Sequence, residues 1–377
     1  MSYKNIDLEI ALNLIIKDAQ SGKLDIAFKA IERLSLSDGN NPQVWQLYGL
    51  IASLREDFDE ACRAFCRSLS LAPFNRQPYL DLATIHQISN KMELARGCLK
   101  SAFVLEPSNE EIRQRYSQFL ISEGDVDEAQ SIMGEKLPFV VVVDEKSWAE
   151  ISRLNEINHY EVLLRFGERL LSQNINDPRV NYLMAVAYQN FNGTEEVILA
   201  LRLVVAAMPA FAWAQKCLAD YLIQKAVLKQ MTGLQLDEIF RDRASSSATD
   251  ALAEAKATYE ISLEYDRFEP DTHTYYGNLL CRLGDYPQSA EQYRAAKNLN
   301  PDNSVVRYNL ASLLFKMGDF ATALDEVDDA LQLETGFSEA HKLRGQILAK
   351  LGDVFGSGRS FLAAVQLGPK FSNEAYF

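Results

Sequence analysis

Few residues in this chain are spaced for covalent chemistry. Its four histidines, His86, His159, His273 and His341, lie in separate stretches, with no Ser-His-Asp order, His-Glu-x-x-His helix or Walker loop around them. Cys62 and Cys66 stand four apart, which puts both thiols on one helical face, but no second Cys or His pair completes a zinc set. Packing is their expected role, since free cysteine is among the most buried residue types. With Cys98, Cys217 and Cys281 they make five cysteines and no paired framework, and an odd number points to a reducing, cytoplasmic compartment. Gly352-Asp-Val-Phe-Gly356-Ser-Gly358 has the glycine density of a phosphate loop but lacks a following Lys and a preceding strand. No catalytic residue, cofactor or metal is expected in these residues.

What remains is non-covalent binding. Arg282, Lys316 and Lys350 are each 34 residues from the next, a line of cations in a chain of net charge −14 and pI near 4.9. That acidity argues against nucleic acid, which needs a basic footprint, and against anionic membrane surfaces. No stretch reaches the ~18 apolar residues of a membrane span. The apolar run Ile10 to Ile16 follows Asp7 and Glu9 and precedes no cleavage site, so it reads as the first helix and not a leader.

A regular spacing of cations requires regular elements beneath it. With Pro42 as position one of a 34-residue frame, position eight is small: Gly49, Ala83, Ser117, Ala185, Ala219, Gly277, Ala311 and Gly345. Position twenty, which should pack against it, reads Ala61, Ala95, Ala129, Ser289, Ala323 and Ser357. Pro73, Pro107, Pro209, Pro301 and Pro369 close the units, where a residue that cannot continue a helix fits. Gly124, Gly284, Gly318 and Gly352, each followed by Asp, mark the turn inside a pair. A fixed period of this length is the mark of stacked helix pairs.

These positions resemble the tetratricopeptide repeat, and the resemblance covers nearly the whole chain. It implies an all-α fold, a right-handed superhelical α-solenoid of about ten stacked helix pairs. Residues 8–143 form the N-terminal units and residues 144–269 degenerate units. Residues 270–371 form the C-terminal units, and residues 372–377 begin a further one. Two units keep phase with altered small positions: Leu8 to Asn41 with Ile15, and Asp144 to Asp177 with Ile151 and Leu163. The run Phe139-Val-Val-Val-Val143 favours extended backbone, either in the seam between units or as an edge for a partner strand. All the surplus length falls at Val227 to Asp250. There Ser245 to Asp250 reads as a loop, with Asp250 capping a delayed second helix, Ala251 to Tyr265. The segment is either an elongated pair or a docking flap, and proteolysis is expected first near Ser245 to Thr249.

The resemblance also implies a concave surface lined by first helices, with positions two, five, nine, twelve and thirteen facing a ligand. Arg282, Lys316 and Lys350 occupy position thirteen, Lys342 position five, and Asn278 and Asn309 add amide donors. Such a groove suits an acidic peptide or a C-terminal carboxylate. The bland alternative is that Lys is common at position thirteen and exposed charges are screened within ~8 Å. The carboxylate clamp of chaperone-binding members is not matched, since Thr274, Glu339 and Leu343 stand at its other positions. The asparagine ladder of O-linked N-acetylglucosamine transferases is met only by Asn309. Earlier units offer a neutral lining, Gln43, Gln46, Gln77, Gln114 and Gln118 with Leu50 and Leu80.

The expected function is therefore a non-catalytic scaffold that binds a protein or peptide segment, without nucleic acid or membrane insertion. The alternative is the substrate-recruiting arm of a larger enzyme, a glycosyltransferase, sulfotransferase or 2-oxoglutarate/iron oxygenase, with its catalytic domain beyond Phe377. Because six residues are too few for a stable helix, the last full unit, with Phe361, Leu362 and Val365, is expected to lack a cover. Either a longer chain or self-association through that end would supply one.

Overall fold

The computed structural model describes residues 3–134, 143–173, 176–233 and 238–368. Helices pair in order along the chain: α1 (Tyr3–Gln20) with α2 (Leu24–Ser37), α3 (Pro42–Leu54) with α4 (Phe58–Leu71), and α5 (Arg76–Ile88) with α6 (Met92–Leu105). Then come α7 (Glu110–Ser122) with α8 (Val126–Met133), α9 (Glu145–Glu156) with α10 (Tyr160–Ser172), and α11 (Pro178–Gln189) with α12 (Thr194–Ala207). The elongated α13 (Ala212–Gly233) and α14 (Glu238–Tyr265) follow. The last three pairs are α15 (Pro270–Leu283) with α16 (Tyr286–Leu299), α17 (Ser304–Met317) with α18 (Phe320–Leu333), and α19 (Ser338–Leu351) with α20 (Val354–Leu367). No strand occurs among the described residues. Among the described residues, the order of these twenty helices agrees with the period read from the sequence.

Local chemistry sets each boundary. Asn41, Asn75, Asn109, Asp144, Asp177, Glu269 and Asn303 accept backbone N–H groups at the starts of first helices, and Asp57, Asp285, Asp319 and Asp353 do so for second helices. Position fifteen, in the turn of a pair, is left-handed in every unit but one. Glycine holds it at Gly22, Gly124, Gly284, Gly318 and Gly352, but Glu56, Asn90, Asn158 and Asn192 hold it elsewhere. In the remaining unit the equivalent residue is Ala226, which continues α13 as helix.

Packing inside a pair follows the expected positions. The Ser289 hydroxyl donates to the Gly277 carbonyl at 2.8 Å and that of Ser357 to Gly345 at 2.8 Å, joining positions twenty and eight. An added Cβ at Gly49 would lie 2.6 Å from the Phe65 ring, and one at Gly277 2.8 Å from the Tyr293 ring, so position eight must be small. The degenerate unit reverses this arrangement. Ile151 and Leu163 are fully buried, and Gly167 takes the place where Phe65 and Tyr293 stand in their units. A Cβ on Gly167 would lie 2.3 Å from the sulfur of Met184 on α11, so the place left by the missing ring is filled from the next unit.

The insertion requires a correction. Ser245 to Asp250 is not a loop with a cap; it lies inside α14, which runs 28 residues without interruption. The alanines of Ala248 to Ala257 and the arginines at 241 and 243 are good helix formers, and serine alone does not break a helix. Helices α13 and α14 are 22 and 28 residues long, against 8 to 18 for the other helices. Of the run Phe139 to Val143, only Val143 is among the described residues; it is buried, and its N–H donates to Asp177 Oδ2 at 3.1 Å. The rest of that run, and residues 372–377, lie outside the described residues.

Two compact units divide the chain: Met1–Thr232 with Glu264–Asp266, and Gly233–Leu263 with Arg267–Phe377. The second unit packs as a repeat array should, with one core running through Tyr293, Leu310, Ala311, Val327, Phe337 and Ile347. The first does more. A regular solenoid contacts only its nearest neighbours, yet here the Ala210 N–H donates to the Ser101 hydroxyl and Cys66 lies 3.4 Å from the Tyr265 carbonyl. Gly97 is so close under Tyr265 that an added Cβ would lie 1.8 Å from its hydroxyl. Helix α6 is accordingly buried nearly all round, Gly97, Cys98, Ser101, Ala102 and Val104 included.

Candidate peptide-binding surface

In the second unit, α15, α17 and α19 carry the residues singled out by the sequence frame. Asn278 on α15 is half-buried and its carbonyl oxygen accepts from the Tyr293 hydroxyl at 2.7 Å. Asn309 on α17 is 1% exposed, and its Nδ2 lies 3.5 Å from the same Asn278 oxygen. The frame's two asparagines are thus brought side by side. The Asn309 Oδ1 is buried and has no hydrogen-bond partner. An acceptor left in that state costs about 1–3 kcal/mol, a cost that a donor brought to it would remove.

Arg282, Lys316 and Lys350 are exposed, each in the last turn of its helix. The negative end of the helix dipole favours a cation at that place by about 0.3–1 kcal/mol, so their position also has a local structural cause. The Lys316 ammonium reaches back across the repeat seam, 3.6 Å from the Cys281 sulfur on the preceding first helix. Lys342 is exposed about two turns before Lys350 on α19.

In the first unit the neutral lining is largely committed to the protein itself. Leu80 is buried, Gln46 accepts from Asn75 at 3.1 Å, Gln114 donates to Glu110 and Gln77 donates to Asp81 at 3.0 Å. Burial pushes the Asp81 carboxyl above its ordinary value, and its second oxygen is buried without a partner. A cavity of about 390 Å³ opens at the start of this surface, between Leu8, Glu9 and Leu12 of α1 and Asn41 and Gln43 beside α3.

Sequence reasoning missed an aromatic cluster in this unit. Phe74, in the turn that closes the α3–α4 pair, meets Trp148 of α9, Tyr182 of α11 and Phe211 edge-on at 5.9, 5.8 and 6.0 Å between ring centroids. Arg179 lies over the Trp148 ring at 4.7 Å and is paired with the buried Asp177 at 2.6 Å. Burial pushes the Tyr182 hydroxyl up to about 12. One signal was available: the residue after the closing proline reads Ser108, Ala210, Asp302 and Lys370 in other units, but Phe74 here.

Family models, curated relatives and solved structures each resemble part of this chain. Tetratricopeptide-repeat family models match residues 42–75 and 308–370, and a TPR-repeat model matches 277–318. DnaJ homolog subfamily C member 3 of Homo sapiens is 27% identical over 120 residues, covering 30% of this chain and 24% of that protein. A tetratricopeptide repeat and J domain-containing co-chaperone of Cryptococcus neoformans is 37% identical over 76 residues, covering 20% and 15%. Stress-induced-phosphoprotein 1 of Caenorhabditis elegans is 30% identical over 98 residues, covering 26% and 30%. The chain therefore spans less than a third of the length of these curated relatives. Among solved structures, MamA matches with TM-score 0.42 at 13% identity, covering 53% of this chain and 96% of that one. YrrB, described as a TPR protein with an unusual peptide-binding site, matches with TM-score 0.42 at 16% identity, covering 54% and 93%. Among the described residues, no helix is long and apolar enough to cross a membrane.

Proposed function

Because the chain is a tetratricopeptide-repeat protein, we propose that it acts as a non-catalytic interaction scaffold holding an extended acidic peptide against α15, α17 and α19. The observation that carries this reading is the buried, unpartnered Asn309 carbonyl oxygen beside Asn278. A peptide running along these helices offers one backbone N–H per residue, and a small rotation of the Asn309 amide presents its oxygen to one of them. Arg282, Lys316, Lys342 and Lys350 then supply charge for Asp and Glu side chains or a terminal carboxylate. A protein partner also suits the Cryptococcus relative, which is a co-chaperone.

The amide part is tested with Asn309→Ala and, as probe, a fluorescent decapeptide of alternating Glu and Ala with a free carboxylate. Loss of one backbone-directed hydrogen bond is worth about 1 kcal/mol, roughly fivefold in affinity. An Asn309→Ala protein with unchanged melting temperature and unchanged affinity for the peptide would remove Asn309 from the site.

A further inference from the structure

The cluster around Phe74 stands apart from the surface just proposed and has its own logic. Trp148 and Tyr182 both occupy position five of their units, the position that faces inward on a first helix. The third wall, Phe211, comes from a closing turn. Into these walls a side chain from a distant turn is inserted, with interplanar angles of 88°, 76° and 73°. Edge-on contacts on three sides are how an aromatic ring is recognised. Yet Phe74 is only half-buried, whereas Tyr79, five residues on, is fully buried in the repeat core. The repeat frame does not demand a ring at 74, since Ser108, Ala210, Asp302 and Lys370 serve at the same place.

We infer that Phe74 is an intramolecular occupant of an aromatic-peptide site on α9 and α11, and that a partner segment presenting an exposed phenylalanine takes its place. The ligand class follows from the walls. Arg179 lies over the Trp148 ring, but its charge is matched by Asp177, so the site selects a neutral ring and not an anion. The walls have supports other than Phe74: Trp148 and Tyr182 pack on the core that includes Ile151, Leu163 and Met184, and Ala210, one residue before Phe211, is held by Ser101. Removal of the Phe74 ring therefore empties a preformed place. The contact acts as a built-in competitor that sets a threshold for the partner.

The test uses the full-length protein and an acetylated, amidated hexapeptide, Ala-Pro-Phe-Asn-Arg-Gln, which copies residues 72–77. Its affinity is measured by calorimetry for wild type, for Phe74→Ala, and for Phe74→Ala combined with Trp148→Ala. The expected result is binding to Phe74→Ala at least tenfold tighter than to wild type. That gain should be lost in the double variant and with a peptide carrying Ala in place of Phe. Equal affinity for wild type and Phe74→Ala, including no binding to either, overturns the inference. Should Phe74→Ala fail to fold, Phe74→Ser, the residue type at the same place in the next unit (Ser108), takes its place and the same affinity gap decides.

Discussion

Asp81 shows at the scale of one residue how a repeat position becomes costly. It stands at the sixth position of its unit, where Asn309 stands in a later one, and both carry a buried oxygen without a donor. For Asp81, burial is the largest influence and raises its carboxyl above 3.8, while the Gln77 amide and the charge of Arg115 pull it down. A carboxyl raised in the folded state contributes stability that is full below its unfolded value and lost as pH rises through the folded value. Asp81→Asn should therefore stabilise the protein by about 1 kcal/mol at pH 7, with the gain vanishing below about pH 4. Thermal melts of both proteins from pH 3 to 7 measure it, and a constant gap across that range would contradict the burial argument. The thiols follow the same logic. Burial pushes Cys66 and Cys98 upward and Cys217 to about 12. Alkylation at pH 8 should thus reach these three only on unfolding.

At the scale of the element, two glycines six residues apart make opposite demands. Gly352 holds the turn before α20 at φ +87°, a conformation that costs any L side chain about 1–2 kcal/mol. Gly358 lies inside α20 with open space where a Cβ would go. Gly352→Ala should lower stability by about 1 kcal/mol, and Gly358→Ala should raise it by about 0.5–1 kcal/mol. Chemical denaturation of the two variants decides, and equal signs would mean the pair boundary is misplaced. The turn rule also shows what a sequence conveys. Where position fifteen is Gly the turn is legible, because few other roles need that residue there. Asn90, Asn158, Asn192 and Glu56 do the same work but look like ordinary polar residues. Ser245 to Thr249 misled for the converse reason: a serine run resembles a loop, but flanking helix formers carry the helix through it.

At the scale of the whole molecule, what the repeat frame described best was what repeats: helix order, small positions and closing prolines. It placed Asn278 and Asn309 in the candidate site, but it did not show Asn309 to be buried, since that depends on Tyr293 and the neighbouring pair. Contacts such as Tyr265 on Gly97 were out of reach, because they join residues far apart in sequence and leave no periodic trace. The only local sign was the small residues Gly97, Cys98, Ser101 and Ala102 around α6. Gly97→Ala forces Tyr265 aside and should cost about 1–3 kcal/mol, unlike Ala at an exposed helical glycine. A melting temperature unchanged from wild type would mean that Tyr265 is not seated there.

Under the proposed function, a line of cations on the first helices of an acidic chain holds an acidic peptide. Fluorescence anisotropy of the Glu-Ala decapeptide, titrated at about 50 and 200 mM salt with wild type and with the triple variant Arg282→Glu, Lys316→Glu, Lys350→Glu, tests it most directly. Wild type should bind more weakly at the higher salt, and the triple variant should lose more than tenfold at low salt, about 1.4 kcal/mol, while melting as wild type does. A triple variant that binds the peptide as wild type does, with the same response to salt, would contradict the claim.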